Sequence, residues 1–213
     1  MVTESYIEAV ERCIVNTMKD FQNLAFNFNS ESDLQARLFG YLRDEEALET
    51  TCAGHKIHLV HAEFPVLWED QDVGSYYDLV VWEPQSFARL DENALNAIWG
   101  TKRADQACKI RVLVAIEIKY LYSTTQMKPL SSCKRIMKHN DMDKLLNGQN
   151  RYCYFLAFCD KDIKKATKLC QDRFKEMGLG FKRVREKEKN GSRLRILCAS
   201  KDGCEIKLGF SPV

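Results

Sequence analysis

Apolar residues at Ile7, Val10, Ile14, Met18 and Phe21 recur at three- and four-residue intervals, the period of one helix face, with charged and polar residues between them. The pattern predicts an amphipathic first helix over residues 4–20. An Asn-rich stretch (Asn23, Asn27, Asn29) leads to Ser30, whose hydroxyl suits an N-cap, with Asp33 three positions on. Leu34, Leu38, Tyr41 and Leu42 then mark a second helix, predicted to stop between Leu48 and Gly54.

Beyond Gly54 the period changes. Residues 57–68 and 76–82 are runs rich in β-branched and aromatic side chains separated by a polar stretch, 69–74, and they predict an antiparallel hairpin. Pro84 ends the second strand, and residues 87–109 read as an inserted, partly helical connection carrying Leu90, Leu95, Ile98 and Trp99. The segment Arg111-Val-Leu-Val-Ala-Ile-Glu-Ile-Lys-Tyr120 is nearly continuous in apolar residues, as a central strand buried on both faces requires. A basic loop, a short helix at 141–146 and a strand at 152–158 follow. After them come a long amphipathic helix at 160–177, a basic segment at 182–189, a turn at Asn190-Gly191 and a strand at 194–199 that reads as part of a terminal hairpin. This order predicts one α/β domain with a central mixed β-sheet flanked by helices on both faces.

Composition narrows the class. With 213 residues, 45% hydrophobic and 29% charged, the chain has enough apolar material for a substantial core. Its 32 Lys and Arg against 30 Asp and Glu leave a net charge of only +2, so a nucleic-acid partner has to be argued from local clusters. Nine cysteines, an odd number without any Cys-x-x-Cys pair, predict reduced core thiols rather than a disulfide framework. Residues 1–5 lack the basic start of a secretory signal and no stretch approaches the ~20 apolar residues of a membrane span. The expectation is a soluble, cytoplasmic protein with no membrane partner. A Gly-rich phosphate loop, a Gly-x-Ser-x-Gly elbow and a dinucleotide fingerprint are all missing from the sequence, so no nucleotide cofactor is expected.

The candidate chemistry interrupts the most apolar strand. Glu117 and Lys119 are two residues apart, so both leave one face of the strand while Ile116 and Ile118 point to the other. A buried ion needs a partner or a metal, and Asp78, in Tyr-Tyr-Asp-Leu-Val-Val on the preceding strand, is the nearest candidate. Two facing carboxylates call for a cation between them, and a hard divalent ion such as magnesium takes oxygen ligands of the kind offered by Asp78, Glu117 and the carbonyl of Ile118.

An Asp at the end of one strand followed by Glu-x-Lys on the next resembles the PD-(D/E)xK, or restriction-endonuclease-like, nuclease superfamily. Residues 31–158 follow the αβββαβ order of its core, with an insertion at about 84–110 and a basic extension at about 160–213. The chain departs from the pattern in having Tyr77 where Pro is common and Cys153 four positions after Gln149 where one subgroup has Tyr. The resemblance implies a Mg2+-dependent endonuclease, with Mn2+ able to substitute, acting on phosphodiester bonds of nucleic acid, DNA in preference to RNA. In that reading Asp78 and Glu117 hold the metal together with the Ile118 carbonyl, Lys119 assists the attacking water, and Glu31, in the first turn of the second helix, adds a carboxylate. Homodimers are frequent in the superfamily.

Gln35, one helical turn after Glu31, Glu63 on the first hairpin strand, and Lys144 in the short helix are further candidates. Lys128, Lys134, Arg135 and Lys138, in the loop after the motif strand, are the first choice for phosphate contacts. His55, His58 and His61 are not expected to bind zinc, because on one continuous strand His58 and His61 face opposite ways and no Cys stands at ligand spacing. The competing expectation is a nucleic-acid-binding or protein-interaction module that keeps the same fold without hydrolysis.

Overall fold

The computed structural model describes residues 2–24, 27–65, 76–88, 90–100, 110–121, 144–145, 150–159, 193–200 and 203–205. Helix α1 (Val2–Asn23) buries Ala9, Val10, Cys13, Ile14, Met18 and Phe21, the stripe that the spacing predicts. Thr17 lies on the same buried side and satisfies its hydroxyl by donating to the Cys13 carbonyl one turn back, at 2.9 Å.

Helix α2 (Glu31–Arg43) starts where the sequence indicates. The Ser30 hydroxyl accepts from the Asp33 amide at 3.2 Å while the Asp33 carboxylate accepts from the Asn29 amide at 2.8 Å, a reciprocal cap. The helix buries Leu34, Leu38 and Leu42 and stops at Arg43, earlier than predicted. A short 3-10 turn (Glu46–Leu48) leads instead into a hairpin of β1 (Glu49–Cys52) and β2 (His55–His58). Its two-residue turn, Ala53-Gly54, has positive φ at both positions (48° and 81°), which matches the right-handed twist of the strands and suits Gly at the second position.

The main sheet has six strands in the order β3-β4-β5-β6-β7-β8. Strand β4 (Tyr76–Trp82) pairs antiparallel with both β3 (Val60–Pro65) and β5 (Val112–Leu121). Strands β6 (Asn150–Cys159) and β7 (Arg193–Ser200) join parallel to β5 and to each other, and β8 (Gly203–Glu205) closes the edge antiparallel. The architecture is a mixed α/β sheet in which β5 and β6 are central and carry the near-continuous apolar runs. The predicted hairpin of residues 57–68 and 76–82 exists as β3 and β4, but its first strand begins only at Val60, because Ile57 and His58 belong to the smaller hairpin.

Pro84 ends β4 in a 3-10 turn (Pro84–Ser86), and helix α3 (Glu92–Gly100) occupies the predicted insertion. The strand at 194–199 makes its hairpin with β8, which follows it. The segments 160–177, 182–189 and Asn190-Gly191 lie outside the described residues, and of the short helix at 141–146 Lys144 and Leu145 are described, both helical.

One face of the sheet is covered by α1, with α2 beside it packing over β3, β4 and β5. Phe21 of α1 stands edge-on to Phe158 of β6 at 5.1 Å and to Tyr120 of β5 at 6.0 Å between ring centroids, and it tilts against Phe28 at 5.8 Å. Five described cysteines, Cys13, Cys52, Cys153, Cys159 and Cys198, are buried free thiols, in line with their sequence reading. No described helix is long and apolar enough to cross a membrane.

Candidate active site on strands β4 and β5

The regular pairing of β4 with β5 begins at Leu79 and Ile116, and the site lies just beyond that point. There the Ile118 amide donates to the Asp78 carboxylate at 2.6 Å, so a side chain takes up a strand amide. Glu117 and Lys119 leave the face opposite to Tyr120, which turns toward α1.

Glu31 comes from α2. As the first residue after the Ser30 cap it is placed by the helix terminus, and its carboxylate spans two groups of β5: Oε1 meets Lys119 Nζ at 3.2 Å and Oε2 accepts from the Tyr120 amide at 3.2 Å. The Tyr120 hydroxyl donates to the Phe28 carbonyl at 3.3 Å, tying the approach to α2 onto the same strand. One turn along the helix, Gln35 Nε2 donates to the Asp78 carbonyl at 2.9 Å and to Glu63 Oε1 at 3.1 Å. Glu63 holds an unusual backbone, φ 52°, for a non-glycine residue on a strand.

The ionic centre is Glu117, only 1% exposed. Its Oε1 pairs with Lys119 at 2.9 Å and its Oε2 with Lys144 at 2.6 Å. Both lysines are buried, and Lys144 Nζ also donates to the Tyr76 carbonyl at 2.6 Å. A buried carboxylate of this kind is tolerated because cations lie against both oxygens. Around them the backbone of the Lys144 segment is fixed: the Tyr77 hydroxyl donates to the Lys144 carbonyl at 3.0 Å, and Asn150 Nδ2 donates to Tyr77 at 2.9 Å and to the Leu145 carbonyl at 3.3 Å.

Burial raises the Asp78 carboxyl above its ordinary value; the Ile118 amide and the positive charges of Lys119 and Lys144 work against that rise, and Glu31 adds to it. The oxygen donors expected to hold a hard cation, Asp78, Glu117 and the Ile118 carbonyl, are of the chemical type that magnesium prefers. Among the described residues no cluster of three or more His, Cys, Asp or Glu side chains is arranged to hold a metal.

Glu31, Gln35, Glu63, Asp78, Glu117, Lys119 and Lys144 are therefore brought together, from α2, β3, β4, β5 and the helical segment at 144–145. The basic residues Lys128, Lys134, Arg135 and Lys138 lie outside the described residues. Tyr77, Tyr120 and Asn150 also belong to the site's scaffold and were not singled out by the sequence reading. The one local signal was Tyr77, standing where the resembling family often has Pro.

A second polar cluster is separate. His55, His58, His61, Arg43, Lys56 and Glu92 border a cleft of about 420 Å3 beside the small hairpin. The expectation that His58 and His61 face opposite ways from one strand is corrected: the strand breaks at Leu59, so the two belong to β2 and β3 and line one cleft. Neither is set up as a metal ligand. His58 Nε2 bonds the Arg43 carbonyl at 2.8 Å and its Nδ1 accepts from the Val60 amide at 3.3 Å, while His61 stacks on Trp82 with ring centroids 3.4 Å apart. Burial lowers the pKa of both, that of His61 to about 4.

No protein-family model, no curated protein and no solved structure matches this chain.

Proposed function

We propose that this chain is a metal-dependent nuclease that hydrolyses phosphodiester bonds in nucleic acid, DNA before RNA, on a core like that of the PD-(D/E)xK superfamily. The supporting observation is that Asp78 of β4 and Glu31 of α2 are both bonded to the stretch of β5 that carries the ion pair of Glu117 and Lys119. Asp78, Glu117 and the Ile118 carbonyl are the oxygen donors for Mg2+ or Mn2+. When bound, the cation supplies a Lewis acid for the phosphate and a more acidic water.

The chain's own groups do the positioning. Lys119, held by both Glu117 and Glu31, presents an ammonium that holds the attacking water or steadies charge on the phosphate. The Ile118 amide fixes Oδ2 of Asp78, and Gln35 fixes the Asp78 backbone from the helix side. Attack forms a bond between the water oxygen and phosphorus as the bond to the 3′ oxygen breaks; the attacking water loses a proton to solvent and the leaving oxygen takes one from solvent.

Labelled DNA and RNA, single and double stranded, incubated with Mg2+, Mn2+ or chelator, test the reading directly. Metal-dependent cutting by the wild type, reduced by about a hundredfold or more in Lys119→Ala, is the expected result. Cutting by Lys119→Ala at the wild-type rate removes that residue's role. One observation favours a second reading, a binding or interaction module without hydrolysis: both oxygens of Glu117 are engaged by lysines. Tight nucleic-acid binding with no cutting under any metal condition would select it.

A further inference from the structure

Glu117 meets its two lysines in different ways. Lys119 is its neighbour on β5 and is shared with Glu31, which keeps that ammonium in place independently of Glu117. Lys144 arrives from another segment, is 5% exposed, and pairs with Glu117 Oε2 and the Tyr76 carbonyl. The bonds from Tyr77 and Asn150 that seat the 144–145 segment go to backbone carbonyls. Moving the ammonium therefore leaves the segment anchored.

Glu117 is the fully buried carboxylate of the site, and removal of the Lys144 ammonium would leave one of its oxygens without a counter-charge.

We propose that Lys144 is the chain's own stand-in for the divalent cation: its ammonium pairs with Glu117 in the metal-free protein, and cation binding is an exchange in which Lys144 leaves Glu117 Oε2. The proposal rests on the nuclease reading and adds to it a positioning residue that sets how tightly the cation binds. A univalent charge a few ångströms from a divalent one opposes its entry, so the wild-type site is a weak one by construction. The built-in ammonium also lets the protein fold without metal, since the buried Glu117 already has its counter-ion.

The test is Mn2+ titration of the full chain, followed by calorimetry and by thermal unfolding, for wild type, Lys144→Met and Lys144→Arg. In chelator, Lys144→Met is expected to melt below wild type. Added Mn2+ should raise its melting temperature more than that of wild type, with a dissociation constant lower by about tenfold or more. Lys144→Arg, which keeps the charge, should respond like wild type. A lysine that merely packs would lower the melting temperature without changing the response to Mn2+.

Equal Mn2+ responses in wild type and Lys144→Met overturn the exchange and leave the nuclease reading standing. Absence of Mn2+ binding in all three proteins overturns both. If Lys144→Met does not fold in chelator, Mn2+ is expected to restore its fold, and failure to do so counts against the exchange; Lys144→Gln gives the same comparison with a milder change.

Discussion

Two clusters of titratable side chains occupy this domain, and they handle burial in opposite ways. Around Glu117 the groups stay paired as ions, with two lysines on one carboxylate. In the cleft beside the small hairpin, His58 and His61 are pushed toward their neutral forms and meet backbone or an aromatic ring. The second cluster borders a cleft and has the more suggestive composition, with three histidines within seven residues, yet both nitrogens of His58 bond backbone and the His61 ring stacks on Trp82. The first spends stability to keep charge inside the protein, which is the pattern expected where charge does chemistry.

The largest effect that separates the clusters comes from Glu117→Ala. It leaves two buried ammonium groups without their shared anion and is expected to cost about 3–5 kcal/mol, read from denaturant unfolding. A cost under about 1 kcal/mol would mean that the ionic centre relaxes as a surface pair does.

An acid titration of stability comes next. His61 has a folded pKa of about 4 against an ordinary 6.5, so the unfolded state takes up the proton first, and stability falls as pH drops from about 6.5 to about 4. The expected loss at pH 4 is about 2–3 kcal/mol. His61→Phe, which keeps a ring against Trp82, should flatten that part of the profile; an unchanged slope would assign it to other groups.

The smallest effect has the opposite sign. Asp78 has a folded pKa above its ordinary 3.8, so its ionised form opposes folding at neutral pH, and that penalty fades as pH falls through the raised pKa toward 3.8. Asp78→Asn should therefore raise the melting temperature at pH 7. The advantage over wild type should shrink on acidification, and cleavage should be lost. A variant less stable than wild type at pH 7 would show that Asp78 is held mainly by its lysines.

What could be read from the sequence follows from how far each signal travels. Helix α1 and strands β5 and β6 were legible because periodicity and continuous apolar runs are local and strong. Glu117 and Lys119 stood out because they break such a run. The end of α2 and the hairpin β1–β2 were misjudged, since Glu49-Thr-Thr-Cys is short and lacks alternation, and only the Ala53-Gly54 turn defines it. Tyr77, Tyr120 and Asn150 were not legible because their bonds join segments far apart in the chain, such as Tyr120 to Phe28 and Asn150 to Tyr77. Gln35 and Lys144 could be suspected from spacing, but their partners, Asp78 and Glu117, are set by tertiary docking alone.

The strap from Glu31 to Lys119 and the Tyr120 amide has a consequence for the life history of the molecule. The side chains of the site are contributed by positions 31, 78, 117, 119 and 144, and no contiguous fragment shorter than that whole stretch owns them. Its neighbourhood includes the parallel pairing of β5 with β6, a slow kind of contact to form. A nascent or half-degraded copy therefore lacks the assembled cluster, and under the nuclease reading proposed above it would have no activity.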